Sequence, residues 1–282
     1  MKLNLYKTNK QRSIFKIISI AFLSLAALLT LFFSILFILF LVYKDDISKT
    51  VLSAVNPKIN GKITFSDLSF TPFRHFPNAS IKFYDLALHE SKDSIYNSNK
   101  PPVFDIKEAY ISLNIVDLFS SKINVSDVTL EGGNLNIIVY PDSQTNLEKA
   151  LKKITDKEKV VKEETTDTVT DTTSGLNLHI DNLEIIDLEL SLENQFKKNK
   201  VQLKINELQS EFSYSKNQII CSINLDTKID SLIKNEKLLL SDQQINFESK
   251  LEVETDSIFV KLEEGKFSIG EAQFLFNGIY DS

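Results

Sequence analysis

Three histidines and one cysteine are the side chains here best suited to acid–base, nucleophilic or metal chemistry. His75, His89 and His179 lie far apart, without the HxH, HExxH or Cys/His spacing that places ligands on one face. His179 stands between Leu178 and Ile180, on the polar face of a strand, and His75 in "PFRHFP" reads as a corner or surface residue. Cys221 holds an apolar position of the strand-like run "NQIICSINLD". A reactive thiol needs an exposed, electropositive setting, so Cys221 reads as buried and structural. With a single cysteine, no intrachain disulfide can form and the redox compartment stays open.

Phosphate-binding and nucleophile-elbow patterns are absent: there is no P-loop, no GxGxxG and no GxSxG. Carboxylates are plentiful, but they fall at polar alternation positions and turns, where a solvated face explains them. The acceptor triplets "NAS" at 78 and "NVS" at 124 are short enough to arise by chance, and Asn124 lies inside an expected strand. The sequence therefore points to no catalytic residue, no metal and no cofactor, and to a protein that is not an enzyme. The one enzymatic alternative is a cluster around His75 and His89, which paired alanine substitutions would test.

The elements that position the rest begin with an apolar run. "IFKIISIAFLSLAALLTLFFSILFILFLV", from Ile14 to Val42, carries one charge, Lys16. As a helix it reaches about 43 Å, more than the ~30 Å hydrocarbon core. A cleaved signal would have a shorter apolar region and a small-residue cleavage site, so an uncleaved anchor is expected over 14–43. Lys2, Lys7, Lys10 and Arg12 fall in the basic tail 1–13, whereas Lys44, Asp45 and Asp46 follow the span. The positive-inside rule then puts the tail in the cytoplasm and the body across the membrane. A formal net charge of −6 on 282 residues argues against nucleic acid as a partner.

Residues 44–56 place Ile47, Val51, Leu52 and Val55 at helical spacing before Pro57, which predicts a short amphipathic helix. Beyond it the chain alternates with period two. One face takes Ile63, Phe65, Leu68 and Phe70, then Ala79, Ile81, Phe83, Leu86 and Leu88, then Ala109, Ile111, Leu113 and Ile115. "KINVSDVTLEGGNLNIIVY" adds Ile123, Val125, Val128 and Leu130, a Gly132-Gly133 turn, and Leu135, Ile137 and Val139, which reads as a hairpin. "PDSQTNLEKALKKI" predicts a turn and one short helix. Residues 155–175 are charged and Thr-rich and cannot bury enough surface to offset ordering, so they read as a disordered linker or loop.

Alternation resumes over 176–282 through Leu178, Leu183, Leu190, Leu203, Phe212, Ile223, Phe247, Val260, Phe267 and Phe276, with polar breaks at "NQFKKNK", "SYSKNQ" and "EEGK". Short strands at this spacing predict an antiparallel meander. "INVSDVTLEGGNLNI" and "LHIDNLEIIDLELSL" share an order of apolar and polar residues with a phase shift where the face would otherwise flip, as β-bulges allow. Such weak repeats suggest a stack of similar strands.

The span, the short helix, "INGKITFSDLSF", the corner "FRHFPNASIKFYDLAL" and "AYISLNIVDLFSSKINVSDVTLEGGNLNIIVYPDSQTNLEKAL" together resemble the N-terminal region of the AsmA family. The residues that carry the resemblance are Gly61, Pro77, Asp85 with Leu86, Asp117 with Leu118, and Gly132 with Gly133. The family pattern closes with an Asp-Gly turn and an asparagine. Here Asp142 is followed by Ser143 and then Asn146, a departure at the glycine. The likeness covers residues 10–150 in detail, making 57–154 an AsmA-like β region, and 176–282 in style only.

Members are similar to TamB and other bridge-like lipid-transfer proteins, so the resemblance implies a long periplasmic β-groove, inner-membrane attachment and a role in lipid transport or outer-membrane assembly. The expected fold is mainly β: an anchor helix, then an extended, curled antiparallel sheet forming a hydrophobic groove, with one or two short helices. Groove-lining candidates are Ile63, Phe65, Phe70, Ile81, Phe83, Ile111, Leu113, Val125, Ile137, Leu190, Leu203, Ile223, Phe247 and Phe276. Phospholipid or another acyl-chain lipid is the implied partner, with outer-membrane assembly proteins as further ones. A packed scaffold sheet that recruits a β-protein through its edge is the alternative. About fourteen strands at ~4.8 Å would stack to roughly 65–70 Å, and the last strand without a cap suggests a truncated chain.

Overall fold

The computed structural model describes residues 5–72, 74, 78–91, 100–113, 125–152, 180–215, 218–254 and 259–281. Expectations for His75, Pro77, Ile115, Asp117, Leu118, Ile123, Asn124, the 155–175 segment, Leu178 and His179 fall outside them. The chain forms two compact units, residues 1–47 and 48–282.

Helix α1 runs from Leu5 to Val55. It includes a stretch long and apolar enough to cross a membrane, and large side chains such as Phe22, Leu23 and Leu31 stand exposed along it. The hydroxyls of Ser24, Thr30 and Ser34 donate to the carbonyls of Ala21, Ala26 and Thr30, so these polar atoms face no lipid unpaired. Residues 44–55 are helical but continue α1 instead of forming a separate helix, since nothing between Tyr43 and Asn56 breaks the backbone pattern. Pro57 ends it, inside a 3-10 turn over Asn56–Lys58.

Among the described residues the second unit is built on one large curled mixed sheet of 11 strands. They are β1 (Lys62–Thr64), β2 (Asp67–Thr71), β3 (Ala79–His89), β4 (Phe104–Leu113), β5 (Val125–Val139) and β6 (Asn182–Asn194). β7 (Asn199–Ser215), β8 (Gln218–Lys234), β9 (Lys237–Glu254), β10 (Phe259–Ile269) and β11 (Ala272–Asp281) complete it. Neighbours follow the order β1-β3-β4 and onward to β11, with β2 also pairing β3. All pairs are antiparallel except β5 with β6, which departs from the expected meander. The connection from 139 to 182 is long enough to return the chain to the starting end of β5, which a parallel neighbour requires.

Among the described residues the strands are fewer and longer than alternation suggests, because several phase shifts are kinks within a strand and not turns. Gly132-Gly133 makes no hairpin: β5 passes straight through it, with φ of 63° and 117° at the two glycines. A Cβ at Gly133 would lie 2.0 Å from the Asp105 carbonyl oxygen, so the strands approach there only because the side chain is missing. "EEGK" likewise lies within β10, where a Cβ at Gly265 would meet the Phe276 ring at 2.7 Å. The hydrogen-bonded path from β1 to β11 is therefore about 43 Å across.

The kinks line up. Asp85 on β3, Gly132 on β5 and Asp187 on β6 have left-handed backbones. In register they fall in one row with Lys107 on β4 and Asn206 on β7. Along each of these strands the apolar parity changes at the row: Ile81 and Phe83 precede it on β3, Leu86 and Leu88 follow. A left-handed residue rotates the following strand segment, so the flip in parity keeps apolar side chains on one face across the bend.

One end of the sheet is closed. Ile59, Leu88, Val103 and Ala150 form a buried cluster with Val55, Ile63, Phe104, Ile137, Leu147 and Leu151 packed on it. Helical residues 146–152 start with a capping box: Glu148 N–H donates to Thr145 Oγ1 and Thr145 N–H to Glu148 Oε2. Asn146 ties them to β5, accepting from Ile138 N–H and donating to the Asn136 carbonyl. Ser143, at the glycine position of the family turn, has φ 64°. Ser143→Gly should relieve a left-handed strain of about 1–2 kcal/mol, partly offset by chain entropy, for a net gain of about 0.5–1 kcal/mol in chemical denaturation.

Candidate functional site

Register turns separate alternations into continuous apolar rows. Leu68, Phe83, Ala109, Leu130, Ile185, Leu208, Leu225, Phe247, Phe267 and Phe274 are successive cross-strand partners from β2 to β11. Directly opposed residues share a face, so these form one unbroken apolar stripe perpendicular to the strands. A second row runs from Phe70 through Ile81, Ile111, Val128 and Leu183 to Ser210, Ile223 and Ser249. Beyond the kink a third joins Leu88, Phe104, Leu135, Leu190, Leu203 and Ile229.

Burial along the first row is graded. Leu68, Phe83 and Ala109 are buried, the members on β5 to β10 are half-buried, and Phe274 is 52% exposed. An ordinary sandwich would bury the central strands most completely. Here the row is buried only on β2 to β4 and reaches solvent at β11, although Ser210, Cys221 and Ser249 of the same face are buried.

The expected lining residues distribute over this face in two groups. Phe70, Ile81, Phe83, Ile111, Ile223 and Phe247 lie in the first two rows, and Leu190 and Leu203 in the third. Phe65 meets Phe83 edge-on at 5.3 Å between centroids. Phe276 stacks obliquely on Phe247 at 6.1 Å. Leu113 pairs with Ala79 and Val125. Ile63, the partner of Leu88, and Ile137 lie at the closed end of the same face, packed on the cluster around Ile59 and Ala150. Leu68, Ala109, Leu130, Ile185, Leu208, Leu225, Phe267 and Phe274 join the expected Phe83 and Phe247 in the first row, and only register shows that they form one line. Cys221 is buried on the same face, opposite Phe212 and Leu251, with Sγ 3.2 Å from Ser210 Oγ.

The opposite face of β3–β5 corrects the reading that its carboxylates are simply solvated. Asp127 is buried, accepting from Asn78, Ser126 and Asn182. The Lys82 ammonium lies 2.6 Å from Glu108 and over the Tyr84 and Tyr110 rings, while Arg74 pairs with Glu131 and stacks on Tyr110 at 3.9 Å. Burial acts to lower the Lys82 pKa, but hydrogen bonds to Glu108, Tyr110 and Tyr84 outweigh it and hold the ammonium above its ordinary value. Hydrogen bonds from Lys82 and then Tyr110 hold the Glu108 carboxyl below its own. No buried side-chain nitrogen or oxygen among the described residues lacks a partner. These groups are mutually satisfied, and they tie Arg74 and Asn78 to the sheet.

His89 ends β3 opposite Lys62; burial, and then the Lys62 charge, lower its imidazole pKa. Among the described residues no three His, Cys, Asp or Glu side chains converge as metal ligands would.

An N-terminal helix able to span a membrane, joined to a curled sheet with one continuous apolar face, defines a membrane-anchored β-sheet protein. The chain belongs to the AsmA family, whose model matches residues 12–277. None of the curated proteins matches it.

Proposed function

We propose that this protein is a single-pass membrane anchor with a periplasmic β-groove that carries phospholipid, or another acyl-chain lipid, in lipid transport or outer-membrane assembly. The observation that supports this most is the continuous apolar row from Leu68 to Phe274, buried on β2 to β4 and exposed at β11. A methylene chain laid along such a row gains ~25 cal/mol per Å² of apolar surface removed from water. Binding of this kind is non-directional, so cargo can shift between equivalent positions with no covalent step and no catalytic residue. The basic residues before the span support a cytoplasmic N-terminus. Outer-membrane assembly proteins are the partners this reading implies.

The test is photocrosslinking of the full chain in cells. A benzophenone amino acid replacing Phe247 should capture lipid, whereas one replacing Glu248, its neighbour on the opposite face, should not. Equal capture at both positions, or none at Phe247 in a folded chain, would sink the groove and favour a packed scaffold sheet.

A further inference from the structure

Two hairpin turns project from one end of the sheet, and their composition departs from that of the rest of the body. The β6–β7 turn exposes Phe196, at 74%, beside Lys197 and Lys198. The β8–β9 turn carries Lys234 and Lys237 and exposes Leu238 and Leu239, at 61% and 58%. The turns lie side by side: Lys198 Nζ is 2.6 Å from Glu236, and Asn235 N–H donates to Asn199 Oδ1. Asn235 and Glu236 both have positive φ, the geometry of a tight two-residue hairpin, so this tip is a fixed shape.

Charge sets these tips apart. With Lys200, they gather five lysines against Glu193 and Glu236, in a chain whose formal net charge is −6. Exposed lysines beside protruding aromatic and leucine side chains are the chemistry of attachment to an anionic lipid surface. The lysines are drawn to headgroups and the apolar tips enter the acyl boundary.

Position agrees with composition. Gln195 N–H donates to the carbonyl of Val139, where β5 leads into helical residues 146–152, and Gly61 N–H donates to the Ala150 carbonyl. The tips therefore stand at the end of the sheet where the chain arrives from α1. In register they extend four or five residues past the level of Leu88, roughly 15 Å.

We infer that the β6–β7 and β8–β9 turns form a second membrane contact, docking the sheet on the anionic phospholipid surface of the bilayer that α1 enters. This contact would fix the orientation of the sheet over that surface, and it does not depend on whether the apolar face carries lipid.

The chain contains no tryptophan, which makes a direct test available. The full chain carrying Phe196→Trp is reconstituted into phosphatidylethanolamine vesicles containing brominated acyl chains, with and without phosphatidylglycerol. The comparison is Glu211→Trp, on the polar side of β7 near its other end. The Trp at 196 should be quenched several-fold more strongly than the one at 211. That excess should require phosphatidylglycerol and disappear when Lys197, Lys234 and Lys237 are changed to Glu. Equal quenching at both positions overturns the inference, as does quenching at 196 that ignores phosphatidylglycerol or the lysine reversals. Shielding of the 196 indole from acrylamide in detergent alone also overturns it, and would assign the tips to a second copy of the chain. All these substitutions are at surface positions, and circular dichroism verifies that the sheet is intact in each.

Discussion

Gly133→Ala is expected to destabilise the sheet unit by roughly 3 kcal/mol or more, lowering its melting temperature by about 10 °C in the full chain held in detergent. Two effects combine. At φ 117° an L side chain is strained whatever space surrounds it, and here the added carbon would lie 2.0 Å from the Asp105 oxygen. β4 would have to withdraw, pulling the Asp105 carboxylate from the backbone and side-chain amides of Asn134, now 3.0 and 2.7 Å away. Gly278→Ala is the built-in comparison, since a Cβ there meets nothing within 4 Å, and it should leave the melting temperature within a degree or two. Gly132→Ala should fall between, because φ is 63° but the nearest contact is the flexible end of Lys107. If Gly133→Ala melts like Gly278→Ala, the kink does not hold β4 and β5 as described.

The second large effect concerns the apolar row. Leu225→Asp places a carboxylate near its middle, between Leu208 and Phe247. Position 225 is only half-buried, so water can reach the new charge and the sheet should fold with unchanged circular dichroism. An acyl chain lying there would have to desolvate the carboxylate, which costs several kcal/mol. Lipid captured by the probe at position 247 should therefore fall about tenfold or more. Asn224→Asp adds the same charge on the opposite face and should leave capture unchanged. Parallel losses in both variants would mean that charge on the sheet, and not the continuity of the apolar face, controls binding.

Much of this was legible in the chain itself. The apolar run from Ile14 to Val42 needs no partner to declare itself, because its length and lack of charge already match a bilayer. Strand content was legible for a similar reason: period-two alternation is a local signal, and it identified Phe83, Ile223 and Phe247 as members of an apolar face. The Asp142-Ser143 departure from the family turn also pointed to a real position, now seen as a left-handed serine.

Phase shifts were harder to interpret, because a turn and a kink both reverse apolar parity. The choice depends on what lies opposite: at Gly133 the carbonyl of Asp105, and at Gly265 the ring of Phe276, neither of which is near in sequence. The parallel pairing of β5 with β6 was hidden for the same reason, since residues more than forty apart decide it. Burial of Asp127 could not be foreseen either, because Asn78 and Asn182, which hold it, come from distant parts of the chain.

The sequence by itself determined an N-terminal helix long and apolar enough to span a membrane, the β character and which residues are apolar on each strand, all consequences of hydrophobicity and local periodicity. Only the tertiary structure decided that those residues meet from β2 to β11 in one row, that one end is closed by Ile59 and Ala150, and that Phe196 and Leu238 stand together at the tips. Register, kink alignment and strand order are long-range pairings, and no local pattern encodes which neighbour a strand will take.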